Sequence, residues 1–307
     1  MTPKLTRRGL LASAAATPLA GLAATGARAQ TAQQGINTVD FRRVKLGDFE
    51  VTTLLAGTRA VPDPQTIFGL NASEEEFAAA SEAAHIPTDQ AQFFFTPTLV
   101  NTGSELVLFD TGLNPAGITA ALEAAGHAPG DVDVVVITHM HGDHIGGLAD
   151  DSGAATFGNA RYVTGATEFD HWSNAGNEGF EAKVRPLAEQ MEMISGGDSV
   201  ASGIEAIEAF GHTPGHMVYR LESGGQNLIV AADFANHYVW SLAYPDWEVR
   251  FDMDKSAAAA SRKELLGMMA ADKLPFIGYH MPFPAIGYVD MRDSGYHYTP
   301  MSYQLML

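Results

Sequence analysis

The chain has 307 residues, 46% of them hydrophobic, and no cysteine. That is ample material for the core of one large domain, and it excludes both a disulfide framework and a thiolate metal site, so any metal must be held by nitrogen and oxygen. Eighteen basic residues stand against 36 acidic ones, a formal charge of −18, and so acidic a surface repels phosphate backbones and argues against a nucleic-acid partner.

The first 29 residues read as a leader. Thr6-Arg7-Arg8-Gly9-Leu10-Leu11 opens an Ala-, Leu- and Gly-rich run that ends at Ala27-Arg28-Ala29. A basic start with paired arginines, a short apolar stretch and a small-x-small cleavage site describe a twin-arginine-type signal. The run is shorter than the ~20 apolar residues a spanning helix needs. The expectation is therefore a periplasmic or secreted protein with no stable membrane insertion after cleavage. The remaining 278 residues carry 14 basic and 36 acidic side chains, a formal charge of −22. Residues 30–40 are expected to be flexible and 41–307 to form the domain.

Alternation over 41–58 predicts two short strands turning at Gly47-Asp48. Residues 60–72, with Pro62, Pro64 and Gly69, read as a loop. Ser73 before Glu74-Glu75-Glu76 is an N-cap with acids in the first turn, opening a helix to about Ala84. Strands are predicted over Ala91–Val100 and Glu105–Phe109, joined at Asn101-Thr102-Gly103. A helix near Ala116–Ala125 precedes a buried strand, 132–137. Gly203–Phe210, Met217–Leu221 and Asn227–Val230 supply more sheet, Ser256–Ala271 a long helix and Leu274–Tyr279 a last buried strand. This mixture indicates a layered α/β protein.

The strand over 132–137 runs into Thr138-His139-Met140-His141-Gly142-Asp143-His144. Four candidate ligands within six residues cannot share one regular face. A loop at a strand end can aim His139 and His141 one way and Asp143 and His144 another, which suits two neighbouring cations. Burying three histidines and an aspartate unpaired would be costly, and the ligand types fit a divalent metal. No Gly-x-Ser-x-Gly elbow is present, so a serine nucleophile is not indicated.

This cluster, with Asp110-Thr111-Gly112 one strand earlier and Gly211-His212-Thr213-Pro214-Gly215-His216 downstream, resembles the metallo-β-lactamase superfamily across residues 41–290. The resemblance implies a four-layer αββα sandwich with two divalent metal ions at one sheet edge. Zn²⁺ fits the nitrogen and oxygen ligands best, with Fe, Mn or Co as alternatives. By that resemblance His139, His141 and His212 hold the first metal, and Asp143, His144 and His280 the second. Asp233 bridges them, and Asp143 and Asp233 are the catalytic carboxylates. Asp110 and His216 support the cluster from behind. Trp172, Phe180, Tyr238 and His237 are expected to line the substrate pocket, with Phe93, Phe95 and Trp240 as further candidates.

An aspartate at 233 disfavours antibiotic hydrolysis, since the β-lactamases of this fold lack it. Histidine at 141, where the flavin-linked diiron reductases carry glutamate, disfavours their redox role. The segments 278–288 and 295–300 resemble the lactonase, arylesterase and methyl parathion hydrolase-like subgroup. The loop Gly112-Leu113-Asn114-Pro115 lacks the aromatic expected of efficient organophosphate degraders. The implied activity is opening of lactones (N-acyl homoserine lactones among them) or cleavage of aryl and other carboxylic esters by a metal-activated water. A phosphotriesterase is the alternative, and a mononuclear-iron sulfur dioxygenase a more distant one. A homodimer is a further expectation.

Overall fold

A computed structural model of the chain describes residues 38–293 and 295–302. The leader and most of the segment 30–40 lie outside them. Strands β1 (Phe41–Leu46) and β2 (Phe49–Leu54) form the expected hairpin. Strand β3 (Gly57–Pro62), helix α1 (Glu74–Ala83) and strand β4 (Gln90–Phe95) follow. Helix α1 starts at a reciprocal capping box, in which Ser73 Oγ accepts from Glu76 N and Glu76 Oε2 from Ser73 N.

Two sequence expectations change here. Residues 57–62 are strand where a loop was expected from 60. The single strand expected over 91–100 breaks at Thr96-Pro97 into β4 and β5 (Thr98–Asn101). The reason is geometric. β2 pairs with β5 in the main sheet, and after a break at Leu55-Ala56 and Thr96-Pro97 the same two chain segments pair again as β3 and β4. The result is a two-stranded ribbon that continues the main sheet.

The first sheet is completed by β6 (Leu106–Phe109), β7 (Val134–Ile137), β8 (Arg161–Gly165) and β9 (Met191–Ile194), in the order β1-β2-β5-β6-β7-β8-β9. Helices α2 (Pro115–Ala124), α3 (Gly142–Ile145), α4 (Ala166–Asn174) and α5 (Glu178–Lys183) belong to this half. The second sheet runs β10 (Ser199–Ala201), β11 (Ile204–Glu208), β12 (Met217–Ser223), β13 (Gln226–Ala232), β14 (Phe276–Gly278), β15 (Ile286–Arg292) and β16 (Gly295–Pro300), in sequence order. Helix α6 (Lys255–Asp272) packs beside it.

Strand β7 shows how the layers arise. Val134 and Val136 enter the core between the sheets, while Val135 and Ile137 pack with Ile118, Leu122 and Phe180 on the helix side. A strand covered on both faces reads as a continuous apolar run, and its period of two assigns alternate residues to alternate layers. The two sheets with helices outside give the αββα sandwich. Most neighbouring strands are antiparallel, but β6, β7, β8 and β9 run parallel in the first sheet, and β13 and β14 in the second. Parallel strands end together, and the residues that leave these strands at their carboxyl ends build the site.

Candidate metal centre

Asp110 follows β6, His139 follows β7, Asp233 follows β13 and His280 follows β14 by two residues. His141, Asp143 and His144 come from the turn into α3, and His212 from the loop before β12. Nitrogen and oxygen atoms of these side chains fall into three overlapping groups, His139–His141–His212, His139–His144–Asp233 and Asp143–His144–His280, each within 4.8 Å. Asp233 is central. Its Oδ2 lies 3.4 Å from His212 Nε2 and 3.2 Å from His280 Nε2, and its Oδ1 lies 3.5 Å from His144 Nε2. Asp143 Oδ2 lies 3.3 Å from His280 Nε2.

Supporting acceptors decide which ring nitrogen faces inward. His144 Nδ1 donates to Asp110 Oδ2 at 2.8 Å, His212 Nδ1 to Asp252 Oδ1 at 2.9 Å, and His280 Nδ1 to the Phe94 carbonyl at 2.8 Å. Thr138 Oγ1 donates to Asp110 Oδ2, which leaves it free to accept from His139 Nδ1 at 3.1 Å. Each of these four imidazoles therefore turns its Nε2 to the centre. His141 instead brings Nδ1 to 3.0 Å from His212 Nε2. Asp110 thus orients two histidines at once, from a left-handed backbone conformation (φ +61°) that Asp and Asn tolerate better than most residues.

Two further buried groups brace the loops. Glu168, fully buried at the start of α4, accepts four hydrogen bonds: from Met140 N, Trp172 Nε1, Thr213 Oγ1 and Gly215 N, at 2.6–2.9 Å. It ties the turn carrying His139 and His141 to the loop carrying His212. Gly215 is required there, because a Cβ would come within 2.1 Å of Glu168 N. On the other side, buried Arg262 of α6 holds Asp252 Oδ2 at 2.7 Å and also donates to the carbonyls of Phe234 and Pro245.

Charges within the cluster are set by burial and by these neighbours. Burial holds His139 well below its usual range and His141 down to about 3, leaving both as neutral lone-pair donors. Burial also opposes ionisation of Asp233, but His280 and His144 outweigh it and hold the carboxyl well below its usual range. For His280 burial works against the charge, and Asp233 and Asp143 outweigh it, pushing the ring up to about 10. His139 Nε2, His144 Nε2 and Asp233 Oδ1 are buried without a hydrogen-bond partner among the described residues. Several buried polar atoms aimed at one point without hydrogen-bond partners are costly, and a cation that displaces the protons of the raised histidines would satisfy them. The donor set of imidazoles and carboxylates suits divalent metals.

Residues 96–275 match the metallo-beta-lactamase superfamily. The chain belongs to it. Among solved members of the superfamily, the fold resembles AidC, a dizinc quorum-quenching lactonase captured with a product, N-hexanoyl-L-homoserine. The TM-score is 0.80 at 25% identity, over 86% of this chain and 98% of that one. It resembles the hydrolase AbOPH at a TM-score of 0.81 and 23% identity, over 87% and 99% of the two chains, a likeness of fold alone. The anti-Pycsar protein Apyc1 of Paenibacillus sp. (strain J14) is 38% identical over 72 residues, 23% of this chain and 27% of that protein. The hydroxyacylglutathione hydrolase of Acidiphilium cryptum (strain JF-5) is 36% identical over 110 residues, 35% and 38% of the two. The match therefore spans well under half the length of either of these two relatives.

A cavity of about 420 Å³ opens over the metallo-beta-lactamase centre. His141, Asp143, Asp233 and His280 meet it from the metal side. Val61, Phe93, Phe95, Leu113 and Phe251 give apolar walls, and Arg59 lies on the exposed β3. Phe93 and Phe95, read from sequence as candidates, do line it. The other pocket assignments need correction. Phe180 is fully buried in the helix-side core, and Trp172 is committed to Glu168 with its ring edge-on to His141. Neither lines the cavity. Tyr238, His237 and Trp240 line a different one. His216 is buried beside the cluster, its Nε2 accepting from Asp233 N at 3.1 Å. Sequence reasoning missed Glu168, Asp252, Arg262, Arg59 and Phe251. None stands in a recognisable motif, and only the fold shows what each faces.

Proposed function

We propose that the chain is a dinuclear metal hydrolase that opens lactones or cleaves carboxylic esters. The observation that carries this reading is the convergence of seven nitrogen and oxygen side chains, with buried polar atoms left without partners, beneath an apolar cavity of small-molecule size. Likeness to a dizinc lactonase over nearly the whole of that enzyme supports it. His139, His141 and His212 would hold one ion, Asp143, His144 and His280 the other, and Asp233 both. When bound, such ions supply a water of lowered pKa and a polarised carbonyl.

The chain's own residues do the rest. Phe93, Phe95 and Phe251 exclude bulk water and seat an acyl chain or ring. Arg59 can donate to a substrate carbonyl oxygen at the rim. The acyl carbon gains the oxygen of water, its bond to the alkoxide oxygen breaks, and the proton lost by the water passes to that alkoxide through Asp233. Leu113 stands in the loop where organophosphate degraders would be expected to carry an aromatic, so the acyl substrates are favoured.

The test is one preparation purified with its metals, its metal content measured, and then assayed on an N-acyl homoserine lactone, an aryl ester and an aryl dialkyl phosphotriester. About two metals per chain with lactone or ester turnover preferred is the expected result. Preference for the phosphotriester, or a single iron with oxygen uptake and no hydrolysis, would overturn the reading.

A further inference from the structure

Behind β4 lies a second cavity of about 290 Å³. Over its last four residues β4 is a wall between two spaces: Phe93 and Phe95 face the metal cavity and Gln92 and Phe94 the second one, which Gln90 and Ala91 at the start of the strand also border. His280 borders both. No Asp, Glu, Lys or Arg side chain lines the second cavity, and His280 Nδ1 is held by the Phe94 carbonyl, so its chemistry rests on its aromatic and proline walls and on one further imidazole.

That imidazole is His237. Its Nδ1 accepts from the backbone N–H of Val239 at 3.2 Å and of Trp240 at 3.1 Å. An Nδ1 that accepts twice has no proton, so the neutral ring carries its hydrogen on Nε2. The ring is stacked on Trp240 at 3.9 Å and braced by Phe68, so it cannot turn. Burial lowers its pKa to about 3, which keeps it neutral at physiological pH. Nε2–H has no partner among the described residues. The cavity therefore presents a fixed, uncharged donor against Tyr238, Phe94 and Pro282.

We propose that this cavity is a second binding site, for a small neutral molecule with an apolar body and one hydrogen-bond acceptor, such as an amide or ester carbonyl, received by His237 Nε2–H. A carboxylate would find no lysine or arginine there, and His280 already donates its Nδ1–H to the Phe94 carbonyl, while an ammonium would find no acceptor in His237. The ligand would touch Phe94, whose carbonyl aims His280. The site is separate from the hydrolytic reading and does not depend on it.

Benzamide is the probe, titrated into the protein as purified. Binding is followed by tryptophan fluorescence and by the imidazole resonances of histidine-labelled protein. Saturable binding should move the His237 Nε2–H resonance, and toluene, lacking the acceptor, should bind at least tenfold more weakly. Gln90→Trp fills the cavity from the exposed side of β4 without touching His237, and should weaken benzamide at least tenfold. His237→Phe should do the same, but it also removes the acceptor of the Val239 and Trp240 N–H groups, so Gln90→Trp is the deciding variant. Benzamide binding that survives Gln90→Trp but is lost in Leu113→Trp lies in the metal cavity and overturns the proposal. So does the absence of saturable binding, including the case in which a second copy of the chain covers the cavity. Because binding is read directly, an inactive enzyme leaves this test intact.

Discussion

The two halves of the metal centre are built on different plans. His139, His141, Asp143 and His144 come from six consecutive residues at one strand end, and a single carboxylate, Asp110, orients two of them. His212, Asp233 and His280 come from three segments far apart in sequence, each with its own support: Asp252 and Arg262, Asn236, and the Phe94 carbonyl. The compact half concentrates its risk in one buried residue. The dispersed half spreads it over the loops after the second-sheet strands, α6 and β4. Asp233 and Glu168 are where the halves meet.

Breaking the junction should have the largest effect. Asp233→Ala removes the carboxylate that touches both halves, and hydrolysis should fall by about 10²–10⁴-fold, as for loss of a group that moves the reacting proton. Metal analysis should show fewer than two ions retained, and unchanged turnover with two ions would contradict its central place. Next comes Glu168→Ala, which leaves four donors without an acceptor. Denaturant unfolding should show a loss of about 3 kcal/mol or more, and a loss below about 1 kcal/mol would mean that water replaces the carboxylate.

The comparison itself is sharpened by a matched pair. Asp110→Asn keeps the left-handed backbone and the volume but loses one acceptor, so both metals should be held about 10–100-fold more weakly. Asp252→Asn should weaken only the ion held by His212, by a similar factor. Stepwise titration with a competing chelator distinguishes the outcomes, and identical two-site weakening in both variants would erase the distinction drawn here.

The smallest signal concerns protons. In the metal-free protein, neighbouring carboxylates outweigh burial and keep His144 and His280 above their usual range. Asp143, pulled down to about 2 as His144 and His280 outweigh burial, and Asp233 are already ionised. Metal uptake at neutral pH must therefore expel about two protons, and affinity must fall as pH falls. The release should fade as pH rises past the His280 value of about 10. Calorimetry in buffers of different ionisation heat reads the count, and a count of zero would mean that both rings are neutral before metal binds.

The same contrast explains what could be read from sequence. The compact half is visible because ligand types and spacing lie side by side, and the buried run of β7 leads into it. Helix α1 is visible because Ser73 and Glu76 cap it locally. His212, Asp233 and His280 were placed by resemblance to a family, since nothing local to them says that they meet. Glu168 looks like any acid on an amphipathic helix until the fold sets it against Met140 and Gly215. Trp172 and Phe180 misled because an aromatic's preference for burial does not say whether its neighbour is a cavity or a core. The break at Thr96-Pro97 was missed because both halves of the segment have the same strand-forming composition, and the fork is set by pairing partners some forty residues earlier.

Strand β4 has a consequence for anyone wishing to redesign this protein. Positions 93 and 95 belong to one compartment and positions 92 and 94 to the other, which Gln90 and Ala91 also border. Libraries at 93 and 95 and at 92 and 94 can therefore tune two recognition surfaces independently. A one-residue insertion would exchange their linings wholesale, because a register slip turns every side chain to the opposite face.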